Sequence, residues 1–181
     1  MRADAERNRA RILEAAFEAF AAAGLSVPVH EIARRAGVGT GTVSRHFPTK
    51  ESLFAAIICD RAAQLMDTAR ELRDSRRGDP AAAFFEFFSI MVAELAADRG
   101  LGDALAGAGI DLEATVAGSG HDVTGMLGSL LSQAQQAGSV RPDVELADVK
   151  ALMTSCLEAD PKLRRRRVEV VCAGLRQPPA A

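Results

Sequence analysis

The stretch that decides the fold is ARRAGVGTGTVSRHFPTKESL, residues 33–53. It joins two short segments with apolar residues at helical spacing through a turn that contains Gly37 and Gly39. Val43 and Phe47 lie four residues apart and form the inner face of the second segment. Two short helices joined by a tight glycine-containing turn form a helix-turn-helix, whose second helix enters the major groove of DNA.

The second segment carries polar side chains on the face opposite Val43 and Phe47. These outward side chains, which can donate hydrogen bonds to phosphates or base edges, are Thr40, Thr42, Ser44 and Arg45. Gly41 has no side chain and would let the backbone approach nucleic acid closely. The pattern predicts a DNA-binding helix.

Lys50 stands in the first turn of the next predicted helix, where a cation opposes the helix dipole. A phosphate bound at this helix N-terminus would correct the mismatch. The alternative is that the neighbouring Glu51 already compensates the lysine charge.

Composition indicates a folded, water-soluble chain. The 181 residues are 48% hydrophobic and 25% charged, with a formal net charge of −2. Residues 1–50 hold 8 Lys and Arg against 5 Asp and Glu, whereas the remainder holds 14 against 19. The amino-terminal quarter is therefore the part suited to a polyanion. The chain has no long uncharged apolar run and no apolar leader, so we expect a cytoplasmic protein without membrane contact.

Cysteines and histidines give no sign of a disulfide frame, a metal site or another cofactor. The cysteines are odd in number, widely spaced and set among apolar residues: Cys59, Cys156 and Cys172. The histidines form no pair at ligand spacing: His30, His46 and His121.

Apolar periodicity and capping residues predict an all-α chain of about nine helices. The first helix is predicted to end at Gly24, and two short helices to end at Gly37 and Pro48. A fourth helix is predicted from Thr49 to about Asp74, and a fifth from Asp79 and Pro80 to about Asp98. After them we expect one or two short helices among the glycines of 100–128, a helix to about Ala137, one from Asp143 to about Glu158, and a last one from Asp160 and Pro161 to Gly174. We expect a DNA-binding domain over 1–50, a ligand-sensing and dimerisation domain over 51–176, and a frayed tail over 177–181.

The segment IARRAGVGTGTVSRHFPTKESLFAAI, residues 32–57, resembles the DNA-binding signature of the TetR family of transcriptional repressors. The resemblance covers residues 8–58 closely, and continues as helix order and as AGSVRPDV, residues 137–144. It implies an all-helical homodimer whose first three helices bind DNA and whose other helices bind a small ligand and the partner subunit. By position it implies DNA contacts from His30, Thr40, Thr42, Arg45, His46 and Lys50.

Two positions depart from the family pattern. Ser44 stands where the family usually has a phosphate-contacting Tyr, and Gly39 stands where it has a capping Ser. The shorter Ser44 keeps open an alternative function, a helical ligand-binding or interaction module that has lost DNA binding. His46 can equally be a core or cap residue beside Phe47. The arginines from Arg2 to Arg11 form either a minor-groove arm or a frayed terminus.

Four phenylalanines surround most of the fifth helix: Phe84, Phe85, Phe87 and Phe88. They favour core packing, or alternatively, together with Met91, Met126 and Leu130, the lining of a cavity for an apolar or aromatic effector.

The last two helices carry apolar stripes that two copies could bury as a four-helix interface. The predicted dimer residues are Leu146, Val149, Leu152, Met153, Cys156, Leu157, Val168, Val171, Cys172 and Leu175, with Arg164 beside them.

No catalytic triad, carboxylate pair or phosphate-binding glycine loop is recognisable, which disfavours an enzyme. The sequence predicts a ligand-responsive repressor that binds a palindromic operator as a homodimer.

Overall fold

The computed structural model describes residues 2–24, 26–97 and 112–178. Within these ranges the chain forms nine α-helices and one isolated β-bridge, between Val140 and Arg176. The helices are α1 (Arg2–Ala23), α2 (Val29–Ala36), α3 (Thr40–His46), α4 (Lys50–Ser75), α5 (Pro80–Ala97), α6 (Leu112–Gly118), α7 (Val123–Gln136), α8 (Leu146–Ser155) and α9 (Pro161–Leu175). The predicted all-α fold is confirmed, while the glycine-rich segment 100–111 lies outside the described residues.

The chain groups into two compact units. The first unit comprises residues 1–63 and 98–121, and the second comprises residues 64–97 and 122–181. The predicted domain boundary at residue 50 stays a prediction.

In the first unit, α1 packs on α2, and α2 packs on α3. The core includes Ile12, Ile32 and Val43, each with at most 1% of its surface exposed. The rings of Phe20 and Phe54 lie 4.6 Å apart between centroids, which joins α1 to the start of α4. These apolar faces fix the short helices of the opening stretch, since helices of seven or eight residues are not stable without tertiary packing.

The second unit is built around α5, which packs against α7, α8 and α9. Phe84, Phe87 and Phe88 are fully buried, as expected of a helix that is apolar on most sides. By length and composition α5 is apolar enough to cross a membrane, a test that core helices of soluble proteins also pass.

Predicted helix starts are confirmed at three caps. The Thr49 hydroxyl accepts from the Ser52 N–H at 3.1 Å, Asp79 accepts from Ala82 at 2.9 Å, and Asp160 accepts from Lys162 at 2.8 Å.

The predicted start of α8 at Asp143 is wrong by three residues. Helix α8 begins at Leu146, and the Asp148 carboxylate accepts from the Glu145 N–H at 2.9 Å. The Asp143 carboxylate instead pairs with the Arg141 guanidinium, whose Nε lies 3.0 Å away. The aspartate therefore belongs to the preceding turn.

The segment after α9 is also better held than predicted. The Gln177 N–H donates to the Ser139 carbonyl at 3.0 Å, and the Arg141 N–H donates to the Leu175 carbonyl at 3.1 Å. Residue 177 therefore does not belong to a frayed tail, while residues 179–181 lie outside the described chain.

Candidate nucleic-acid interface

The turn between α2 and α3 depends on a left-handed glycine. Gly37 has φ 63° and ψ 38°, a region that favours glycine. Its N–H donates to the Arg34 carbonyl at 3.2 Å, and the Val38 N–H donates to the Ala33 carbonyl at 3.0 Å. This is the Schellman arrangement, which satisfies the last carbonyls of α2 while reversing the chain direction.

Helix α3 is anchored by the two apolar residues that the sequence places on its inner side. Val43 is 1% exposed and Phe47 is 7% exposed, and both belong to the core of the first unit. The Phe47 N–H donates to the Val43 carbonyl at 2.8 Å and ends the helix. The helix therefore has a fixed inner face and a fixed outer face.

The outer face of α3 carries the predicted DNA-contacting side chains. Thr40, Gly41, Ser44 and Arg45 are exposed, and Thr42 and His46 are half-buried. The His46 ring lies 6.1 Å from the Phe47 ring between centroids. Because this face follows one side of a short helix, its hydroxyls and guanidinium can reach one groove together.

His30 and Lys50 lie at the beginnings of the helices on either side of α3. His30 is exposed on α2, and Lys50 is half-buried in the first turn of α4. The Thr49 N–H donates to the Ser52 hydroxyl at 3.2 Å, so the cap of α4 is reciprocal. This cap fixes the start of α4 and therefore the position from which the Lys50 side chain projects.

The two arginines at the end of α2 are held by one carboxylate. The Glu31 carboxylate accepts from Arg34 at 2.7 Å and from Arg35 at 2.8 Å. These hydrogen bonds lower the pKa of Glu31 to about 2. The pairing fits a solvated helix face, whereas Arg45 shows no such pairing with a carboxylate among the described contacts.

Two arginines of α1 reach the helix-turn-helix, one at the turn between α2 and α3 and one at the end of α3, and the sequence pattern does not predict either contact. The Arg11 guanidinium lies 3.5 Å from the Gly37 carbonyl oxygen, and the Arg9 guanidinium lies 5.7 Å from the Phe47 ring centroid. Helix α1 starts at Arg2, so this segment is not a frayed terminus, while a contact of its arginines with the minor groove stays a prediction. Extending the helical spacing of α1 back through Arg9 and Arg11 would have predicted that these side chains belong to the folded first helix.

The phenylalanines predicted for an effector pocket pack on one another. Phe84 lies 5.2 Å from Phe85 and 6.4 Å from Phe88 between ring centroids, and the Arg176 guanidinium covers the Phe85 ring at 4.4 Å. Leu130 is buried, whereas Met91 and Met126 are half-buried. The contacts are those of a filled core.

Several residues predicted for the dimer interface are already covered within one chain. These buried side chains are Val149, Met153, Cys156, Val168 and Leu175. The other predicted dimer residues are half-buried: Leu146, Leu152, Leu157, Arg164, Val171 and Cys172. Burial raises the pKa of the Cys172 thiol to about 11. Two apolar residues of α9 that the prediction omitted are exposed, Leu163 by 42% and Val170 by 66%.

No group of three or more His, Cys, Asp or Glu side chains lies close enough to hold a metal ion in the part of the chain that the structure describes.

Comparisons with known proteins agree with this geometry. Residues 12–57 match the family of bacterial regulatory proteins of the tetR type, and residues 79–177 match the C-terminal domain of SbtR-like transcriptional regulators. A TetR transcription regulatory protein from Mycobacterium vanbaalenii is 50% identical, with a TM-score of 0.81 over 97% of this chain and 98% of that one. A TetR transcriptional regulator from Streptomyces coelicolor is 31% identical, with a TM-score of 0.77 over 95% of this chain and 99% of that one.

The chain also resembles the HTH-type transcriptional regulator SrpR of Pseudomonas putida, at 43% identity over 60 residues. That match spans 33% of this chain and 28% of the relative.

Proposed function

The chain belongs to the TetR family of bacterial transcriptional regulators, and we propose that it is a cytoplasmic repressor that binds a palindromic operator as a homodimer. The observation that carries the proposal is the fixed outer face of α3. Its inner side is locked by Val43 and Phe47, while Thr40, Ser44 and Arg45 are exposed. Members of this family regulate transcription, so we assign no catalytic role to the chain.

The proposed division of labour follows the contact types that each side chain can make. Arg45 and Lys50 supply cations for phosphates or guanine edges, and Thr40 and Thr42 supply hydroxyls. His30 and His46 are proposed as flanking contacts. Ser44 is exposed, so its hydroxyl can donate a hydrogen bond to a DNA phosphate, although it reaches less far than the Tyr usual in the family.

The proposed dimer buries the exposed apolar residues of α9. Leu163, Val170 and half-buried Val171 line a shallow groove of about 260 Å³ together with Arg166 and Arg167. Exposed apolar side chains on one helix face favour a protein contact. Two copies are also what a palindromic site requires, because half-sites lie about 34 to 36 Å apart.

Replacing Val170 with Arg tests this surface. The variant should elute as a monomer in size-exclusion chromatography with light scattering, while the wild type elutes as a dimer. The matched control is Glu169→Arg, which adds a cation at the neighbouring exposed position. A dimeric Val170→Arg variant would exclude this face from the interface.

The proposed effector is an apolar or aromatic small molecule that binds the second unit and changes operator affinity. Coupling of this kind is typically about 1 to 3 kcal/mol. Since the rings of Phe84, Phe85 and Phe88 fill the space between them, such a molecule would have to displace ring contacts to bind among them.

Selection of bound fragments from random duplex DNA tests the function as a whole. The proposal predicts enrichment of one inverted repeat whose half-sites are centred about 10 to 10.5 base pairs apart, or a multiple of that spacing. Failure to enrich any sequence would favour a module that has lost DNA binding. The proposed effector can then be sought by its ability to shift the enriched duplex off the protein.

A further inference from the structure

The second unit carries a cleft lined by arginines at the turn between α4 and α5. The cleft has a volume of about 400 Å³ and is lined by Arg73, Asp74, Arg76, Arg77, Pro80, Ala83 and Gln133. This volume lies within the range of small-molecule sites. Its lining holds three guanidinium groups and one carboxylate.

The carboxylates near the cleft do not fully occupy these guanidinium groups. The Asp74 carboxylate is shared, at 3.4 Å from Arg73 Nε and 3.4 Å from a terminal nitrogen of Arg77. Arg76 reaches Glu86 of α5 at 3.1 Å. Since a guanidinium has five N–H donors and these contacts use few of them, most donors around the cleft face solvent or the cleft.

A purely structural role explains this cluster poorly. Arginines at a helix C-terminus do complement the helix dipole. Here, however, Arg76 and Arg77 lie in the turn beyond the end of α4, and their side chains are 49% and 80% exposed. Exposed ion pairs of this kind contribute little to stability.

The remaining walls of the cleft suit an organic molecule. Pro80 and Ala83 supply a small apolar surface from the first turn of α5. Gln133 of α7 is held by hydrogen bonds from its Nε2 to the Ser129 carbonyl at 3.2 Å and hydroxyl at 3.1 Å. That arrangement leaves the amide oxygen as an acceptor for a ligand hydroxyl.

We infer that this cleft binds a small organic polyanion, a hydroxylated molecule that carries two or more carboxylate or phosphate groups. Guanidinium forks recognise both groups through paired hydrogen bonds, and all three cations that line the cleft are arginines. The site differs in chemistry from the apolar effector site proposed above, and it does not depend on DNA binding.

Isothermal titration calorimetry with citrate and with inorganic pyrophosphate tests the inference and separates the two anion types. One of the two probes should bind saturably, with one site per chain. The variant carrying Arg73→Gln and Arg77→Gln should bind that probe at least about tenfold more weakly, a loss of about 1.4 kcal/mol, because two charged donors of the cleft are removed.

The matched control is Arg70→Gln, on the same helix. Arg70 pairs with Asp67 at 2.8 Å and does not line the cleft, so its replacement should leave the affinity unchanged. Circular dichroism checks that each variant is folded. The inference is overturned if neither probe binds saturably, or if Arg70→Gln weakens binding as much as the cleft variant does.

Discussion

Replacing Gly37 with Ala tests whether the turn between α2 and α3 determines the stability of the first unit. Gly37 has φ 63°, and a β-carbon in this left-handed conformation costs about 1 to 2 kcal/mol. The added atom would also collide with a terminal nitrogen of Arg11. Because that nitrogen ends a flexible, exposed side chain, its displacement should add no more than about 0.5 kcal/mol.

The assay is urea unfolding followed by far-ultraviolet circular dichroism. With a slope of about 2 kcal/mol per molar urea, the expected loss lowers the midpoint by about 0.5 to 1 M. Gly24→Ala is the matched control, since Gly24 also has a positive φ of 70° but has no atom within 4 Å of a built β-carbon. The two variants should therefore differ by the small Arg11 contribution alone.

Adding Arg11→Ala to both glycine variants isolates the steric part. The difference between the glycine variants should then disappear. A Gly37→Ala protein as stable as the wild type would refute the reasoning, because the strained backbone would then carry no cost.

Three further changes test other parts of the fold. Thr49→Ala should cost about 1 kcal/mol through loss of the α4 cap, and Thr49→Asp should restore most of it in the same urea assay; equal losses for both would contradict the cap. The pKa of Glu31 is lowered to about 2, so its contribution to stability is present above its ordinary pKa of 4.5 and is lost as pH falls towards 2. Glu31→Gln should therefore flatten the stability profile between these pH values, and a profile unchanged from wild type would remove the ion pairs from the account. Phe87→Ala should cost about 3 to 5 kcal/mol because the ring is fully buried, whereas a loss below about 1.5 kcal/mol would mean that its surroundings are not closely packed.

Local sequence patterns were sufficient to predict the helices of the first unit. Gly37 and the spacing of Val43 and Phe47 identify the turn and the inner face of α3, because backbone conformation and helical period are local properties. The start of α8 is misplaced because an aspartate before an apolar run is the usual sign of an N-cap, whereas the residue at the N-cap of α8 is Glu145. The Glu145 N–H donates to the Asp148 carboxylate, and Asp143 pairs with Arg141, two residues before it.

Apolar stripes were less informative about which surface they face. Val149 and Val168 were predicted to meet a second copy, but they are buried within their own chain. Periodicity shows that a side chain is shielded from water without showing what shields it. The residues that are exposed on α9 are Leu163 and Val170. They give no clear stripe in the sequence, because Leu163 lies between two charged residues and Val170 follows Glu169.

The arginine cleft had no sequence signal for a related reason. Arg73, Arg76 and Arg77 read as a charged helix end, and Gln133 lies more than fifty residues further along the chain. Their convergence on one cavity is a tertiary property.

The salt dependence of operator binding tests the central claim, that α3 and the start of α4 form the DNA-binding surface. Fluorescence anisotropy with the selected duplex gives the slope of log affinity against log salt concentration for the wild type, Lys50→Ala and Arg45→Ala, with Arg165→Ala on α9 as the control. Each cation that contacts a phosphate contributes about 0.9 to the slope, so Lys50→Ala should weaken binding and reduce the slope by about 1 per site. Affinities and slopes that match the wild type in both Lys50→Ala and Arg45→Ala would contradict the account.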